Sequence, residues 1–313
     1  MELEDYKRLG LDQNTPIMHE VNGRSNMEII DALEVPEDAL YQPCVEAYPI
    51  EGVKEGSYEV VQHWSDSKVF AQTFRDIGLY KPAQTKSGDK LALMVFNDGL
   101  GYADPTGPVR AVRVLDNLIH SGEIPPMAAI FAMPGRREEE QEGGPPTDIN
   151  RANMDQRSFE YDSLTPLFGK FLNTELIPFA TDQLGVSITS DPLQRAICGI
   201  SSGGICAFNT AWHFPDAFGL VMSHCGSFVN IRGGHNYPYL VRTTPRNPTK
   251  VFLTSGKKDA DILLGNWPLA NQQMAAALEF AGYDCRFDFG ESGHSLHHGG
   301  ALFAESLRWL WGD

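Results

Sequence analysis

Residues 199–203 read Gly-Ile-Ser-Ser-Gly, a G-x-S-x-G pattern centred on Ser201. The chemistry explains the spacing. A serine at the tip of a sharp strand-to-helix turn presents its hydroxyl, and the flanking glycines let the two backbones crowd together. The first backbone N–H groups of the following helix, beginning at Ser202, then face the place where an oxyanion would form. A serine hydroxyl attacks well only when a base takes its proton, and the base in turn needs a group to orient it. Candidates follow in chain order. Asp259 and Asp261 lie in KVFLTSGKKDAD (250–261), and His294 follows Gly293 in CRFDFGESGHSLHH (285–298). Upstream, the turn Asn97-Asp98-Gly99-Leu100 ends an apolar run and offers a second oxyanion donor at Gly99 or Leu100. Each feature also has a bland reading: a glycine-rich turn, a turn-forming aspartate in a polar loop, an Asn-Asp-Gly corner.

His294, His297 and His298 stand at i, i+3 and i+4, which would align them on a helix. No HExxH pattern or carboxylate pair accompanies them, so neither a metal nor an organic cofactor is expected. His297 and His298 read instead as helix-start or surface residues.

The elements that must position these groups are visible in the hydrophobic pattern. LALMVF (91–96) and MAAIFAM (127–133) are short apolar runs suited to strands buried on both faces, and Arg195–Gly199 reads as a strand end. Between them, Ala111, Val114, Leu115, Leu118 and Ile119 recur with helical spacing, as do Ile205, Phe208 and Trp212 after the serine. Strands alternating with helices predict an α/β fold with a mostly parallel sheet. Ser201, the aspartates and His294 then each stand just beyond a strand's carboxyl end, where such sheets bind ligands. SYEVVQHW (57–64) and KVFAQTFRDIGLYKP (68–82) read as an antiparallel pair at the sheet edge, joined by a polar turn. Leu164 to Ala180 reads as a helix that Pro178 should kink or stop, and a further helix is expected from Leu263 onward. The polar loop 135–150, rich in glycine and proline, is longer than a plain connection needs and is expected at the rim of the site. Residues 1–56 show no sustained period and read as an arm with little structure of its own.

The chain has 313 residues, 42% hydrophobic and 21% charged, which suits one soluble domain. A formal net charge of −16 repels polyanions and anionic membranes, so a nucleic-acid partner is not expected. No apolar run is long enough to span a bilayer. The N-terminal MELEDYKRLG is acidic where a signal peptide would be basic and then apolar. Five cysteines with no CxxC pair argue against a disulfide framework, and a cytoplasmic location fits.

Taken together, VFNDGLGY, VLDNLIHSGEIPP, RSFEYD (157–162), FLNTELIP, GISSGG, GSFVNIRGG, LTSGKKDAD and ESGHSLHHGG resemble the putative esterase family of α/β-hydrolases, which includes enterochelin and feruloyl esterases. The resemblance runs over about residues 91–313. It implies an α/β-hydrolase fold, a catalytic domain over 57–313 and hydrolysis of a small-molecule carboxylic ester. It also implies a Ser-His-Asp triad of Ser201, His294 and Asp259, the aspartate three residues after the strand-ending Gly256, with Asp261 the alternative acid. Arg157 and Glu160 are expected from it to form a structural pair. An acyltransferase with the same triad, and a non-catalytic binding protein on the same fold, are the competing expectations.

Overall fold

The computed structural model describes residues 35–137 and 151–312, together with a short backbone pairing of Glu20–Val21 with Arg24–Ser25. Eight strands build the main sheet: β1 (Ser57–Trp64), β2 (Arg75–Lys81), β3 (Lys90–Asn97), β4 (Met127–Ala132), β5 (Arg195–Ile200), β6 (Leu220–His224), β7 (Lys250–Gly256) and β8 (Asp284–Gly290). Their spatial order is β1-β2-β4-β3-β5-β6-β7-β8, and the two-residue strand Ser187–Ile188 runs beside the start of β3. From β4 to β8 all pairings are parallel; β2 joins β4, and β1 joins β2, in antiparallel fashion.

The run LALMVF became the centre of this sheet because alternate side chains enter two different cores. Leu91, Leu93 and Val95 pack with Phe171, Phe208 and Leu253 on one face. Ala92, Met94 and Phe96 pack with Leu115, Phe303 and Leu307 on the other. Among the described residues ten α-helical pieces clothe the sheet, labelled in chain order. They are α1 (Gly99–Ala103), α2 (Ala111–Ser121), α3 (Arg151–Asp162), α4 (Leu167–Phe171), α5 (Ile177–Leu184), α6 (Ser202–His213), α7 (Tyr237–Thr243), α8 (Trp267–Phe280), α9 (His297–Ala301) and α10 (Phe303–Trp311). The chain passes from β3 to β4 on one side and from β4 to β5 on the other. Sheet order therefore reverses at β3, and the crevice beyond β3 and β5 is the natural ligand site.

Three local expectations are corrected. The second edge strand begins at Arg75, not Lys68, because residues 67–69 are held in a turn by the Glu175 carboxylate, which accepts from Ser67 Oγ (2.6 Å) and from the amides of Lys68 and Val69 (3.0 Å each). Pro178 does not stop its helix: the helical path runs unbroken from Leu167 through a π turn at Leu172–Leu176 into α5, and this wider turn, rather than an end, is the irregularity beside the proline. The helix expected from Leu263 starts at Trp267, after a small hairpin of Asp261–Ile262 with Gly265–Asn266, and Asn266 caps it by accepting from Leu269 N at 2.9 Å. Of the arm expected over 1–56, residues 35–56 lie along the domain with two 3₁₀ turns, Pro36–Leu40 and Val45–Ala47. The body of the loop 135–150, expected at the rim, lies outside the described residues from 138 onward. No helix among the described residues is long and apolar enough to cross a membrane, and all five cysteines are free thiols.

Candidate active site

Ser201 sits between β5 and α6 with φ 57° and ψ −121°, a backbone conformation that a non-glycine residue adopts only when its surroundings enforce it. Those surroundings are visible. Ser201 N donates to His224 O (2.9 Å), and Ser201 O accepts from Ser227 N (3.0 Å) and from the amides of Gly204 and Ile205. A Cβ at Gly199 would collide with the backbone of Gly203, and one at Gly203 would come within 3.0 Å of Asp98 Oδ2 and 3.1 Å of Asn97 Cβ. The glycines of the motif are thus required by the close passage of β5, α6 and the turn after β3.

That turn carries the other expected donors. Asp98 has φ 52°, Gly99 opens α1 against the backbone of Phe131, and Leu100 follows half-buried. Asn97 Nδ2 donates to Gly203 O at 2.9 Å and ties the turn to the start of α6. Gly99, Leu100 and Ser202 therefore all occupy first turns of helices, where backbone N–H groups have no intrahelical acceptor. Arg157 braces the same turn with two bonds to Asp98, 2.9 Å to Oδ1 and 2.7 Å to Oδ2. Glu160 instead takes Arg75 at 2.8 and 3.0 Å with both side chains fully buried, so Arg157 and Glu160 are not paired with one another. The two side chains reach opposite partners, one at the end of β3 and one on β2.

Beyond β7 and β8 the structure brings two more expected residues to the serine. His294 Nε2 lies 2.9 Å from Ser201 Oγ, and His294 Nδ1 lies 2.6 Å from Asp259 Oδ1. Asp259 is buried and fixed by Ser255 Oγ (2.7 Å to Oδ2) and its neighbour's amide, Ala260 N (2.7 Å to Oδ1). Asp261 is exposed at the start of the hairpin and does not join this chain of contacts. His297 and His298 begin α9, as one of their readings had it, but His298 is buried, bound through Nε2 to Asp288 at 2.8 Å. The only three-donor grouping of histidine, cysteine and acid among the described residues is Cys225, Asp259 and His294. Both imidazole nitrogens of His294 are already engaged with the protein.

Three neighbours of the site escaped sequence reasoning. Ser227 Oγ lies 3.2 Å from Ser201 Oγ and is wholly buried. Trp267 meets the His294 ring edge-on with centroids 5.6 Å apart. Asp162, at the end of α3, is fully buried; burial pushes its carboxyl up to about 6, against the pull of Arg157 and the hydroxyls of Ser158 and Ser202. The signal for Ser227 was its place just past the end of β6, one strand over from the Ser201 turn.

Sheet order, a serine in a strained strand-to-helix turn, and a histidine and acid after later strands define the α/β-hydrolase fold. Within it, the chain belongs to the family described as "Putative esterase", whose pattern matches residues 71–309. The chain is 30% identical over 266 residues to the iron(III) enterobactin esterase of Dickeya dadantii (strain 3937), in an alignment covering 80% of this chain and 54% of that protein. It thus spans about half the length of that curated relative. It is also similar in structure to the enterobactin esterase of Shigella flexneri, with a TM-score of 0.63, 17% identity, and coverage of 86% of this chain and 62% of that one. A ferulic acid esterase of Anaeromyces mucronatus gives a TM-score of 0.64 at 15% identity, covering 87% and 97%. At these identities the two solved structures speak for the fold.

Proposed function

We propose that this protein hydrolyses a carboxylic ester through an acyl-enzyme on Ser201. The observation that carries the reading is the unbroken line Ser201 Oγ–His294 Nε2–His294 Nδ1–Asp259 Oδ1, at 2.9 and 2.6 Å, built on a strained turn. His294 takes the Ser201 proton as the oxygen attacks the ester carbonyl, and Asp259 holds the Nδ1–H tautomer and stabilises the imidazolium. Backbone N–H groups of Ser202 and of Gly99 or Leu100 receive the oxyanion, each donor worth roughly 3 kcal/mol of barrier. His294 then returns the proton to the leaving alcohol. A water deprotonated by the same imidazole releases the acid. Neither a metal nor an organic cofactor takes part in these steps.

The substrate is a small-molecule ester. The relatives are named for enterobactin and for ferulic acid, which sets catecholate and hydroxycinnamoyl esters as the compounds to compare. With a formal net charge of −16, the protein repels an anionic ferric complex, so neutral aryl and hydroxycinnamoyl esters are the expected better substrates. A panel of such esters, with an iron-free and an iron-loaded catecholate ester, tests this on purified protein. Release of acid by the wild type and its loss in Ser201→Ala support the reading. No turnover of any ester would favour the binding-module alternative. Product acyl groups captured by added alcohols in preference to water would favour acyl transfer.

A further inference from the structure

The loop that carries His294 is held from two sides. The domain holds its carbonyls: Gly290 O accepts from Lys257 N (3.0 Å) and Ser292 O from Lys258 N (3.2 Å). Two of its amides are held by the segment that precedes β1. Tyr41 Oη accepts from Glu291 N at 2.8 Å, and Asp38 Oδ1 accepts from Gly293 N at 3.0 Å, one residue before the histidine.

Shape agrees with these bonds. A Cβ at Gly290 would strike the Tyr41 hydroxyl, and a Cβ at Gly293 would stand 2.5 Å from Val35 Cγ2. The Tyr41 ring also lies over His298, with centroids 4.5 Å apart. Asp38 and Tyr41 belong to one tight turn, closed by Asp38 N to Val35 O (3.2 Å) and Tyr41 N to Asp38 O (3.0 Å), so they are presented together. Further along, the segment is anchored to the helices on one face of the sheet. Asn117 Nδ2 donates to the carbonyls of Glu46 (2.7 Å) and Tyr48 (2.9 Å), and Arg308 Nη2 donates to the Glu46 carboxylate (2.6 Å). Asp38 also stands near the acid side of the site: after burial and Asp259, its charge is among the influences that push the Cys225 thiol up.

We infer that the segment 35–41 is part of the catalytic apparatus, with Asp38 and Tyr41 as positioning residues that set the height and rotation of His294 through its loop amides. The inference rests on His294 being the base for Ser201. An amide bond one residue from the imidazole fixes where Nε2 stands relative to Ser201 Oγ, and displacement on the order of 1 Å costs up to about a hundredfold in rate. The loss falls on kcat, because neither residue has a place in binding the ester.

The test is the steady-state kinetics of Asp38→Ala, Asp38→Asn and Tyr41→Phe in the full chain, with melting temperature and the rate of fluorophosphonate labelling measured alongside. Asp38→Ala and Tyr41→Phe are expected to lower kcat and labelling rate roughly tenfold with KM within twofold. Asp38→Asn, which keeps an acceptor for Gly293 N, is expected to retain more than half of wild-type kcat. Unchanged kcat in both Asp38→Ala and Tyr41→Phe would overturn the inference, as would a loss in Asp38→Asn equal to that in Asp38→Ala. If Asp38→Ala fails to fold, Tyr41→Phe alone decides, since it keeps the ring on His298 and removes only the acceptor. A wild type that neither labels nor turns over would instead be a failure of the triad reading, visible before any variant is made.

Discussion

At the scale of single residues, two aspartates a residue apart have opposite environments. Asp259 is buried with its carboxylate shared among His294, Ser255 and Ala260 N, while Asp261 faces solvent. Asp259→Asn should lower kcat by about 10⁴, because an amide stabilises the wrong imidazole tautomer. Asp261→Asn should stay within a few-fold of wild type, and kinetics on the two proteins side by side check both outcomes. The reverse order would move the acid to Asp261. Ser227 is the residue-scale finding that no motif announced. With Ser201 donating to His294, the Ser227 hydroxyl is left to donate to Ser201 Oγ across 3.2 Å. Ser227→Ala should therefore lower kcat modestly, about 2- to 13-fold for one neutral hydrogen bond of roughly 0.5–1.5 kcal/mol, while leaving KM unchanged. A change in KM alone would place Ser227 in substrate binding instead.

At the scale of elements, the central feature is the strand–turn–helix around Ser201. Its geometry depends on missing side chains, since a methyl at Gly199 meets the backbone of Gly203 and cannot be relieved by a rotamer change. Gly199→Ala should destabilise the fold by about 1–3 kcal/mol, the usual cost of overpacking, in chemical denaturation. It should also reduce activity more than the loss of folded protein explains; equal stability and activity to wild type would contradict the crowding argument. Elements whose cause is local were legible in the sequence. LALMVF declares a doubly buried strand by its length and continuity, and residues 195–208 declare a turn between strand and helix. Elements whose cause is remote were not. The turn at 67–69 is made by Glu175, more than a hundred residues away in sequence. The hairpin before α8 includes Gly265, at φ 147°, where a Cβ would stand 2.9 Å from Val229. The grip of Tyr41 and Asp38 on the His294 loop spans some 250 residues. Periodicity cannot report such contacts, and Arg157 and Glu160 were misjudged for the same reason: their partners, Asp98 and Arg75, are distant in the chain.

At the scale of the whole molecule, stability and site chemistry are joined by Asp162. Its carboxyl is pushed up to about 6 from an ordinary 3.8, chiefly by burial. A folded-state value above the unfolded one means that the protonated form is favoured in the folded protein. The corresponding stability is fully present below about pH 4 and is lost as pH rises through 6, on the order of 3 kcal/mol at 1.36 kcal/mol per unit. Asp162→Asn should accordingly be more stable than wild type at pH 8, with the advantage shrinking toward pH 4, as read by urea denaturation across that range. A variant less stable than wild type at pH 8 would mean that the ionised carboxylate is needed beside Arg157. The claim on which all of this depends is that Ser201, and no other residue, is the activated nucleophile. The most direct measurement is intact-mass and peptide analysis after brief treatment of the native protein with a fluorophosphonate probe. The expected result is one adduct per chain, on the peptide containing Ser201, absent from Ser201→Ala and strongly slowed in a His294→Ala variant. No adduct under native conditions, or an adduct on a different residue, would contradict it.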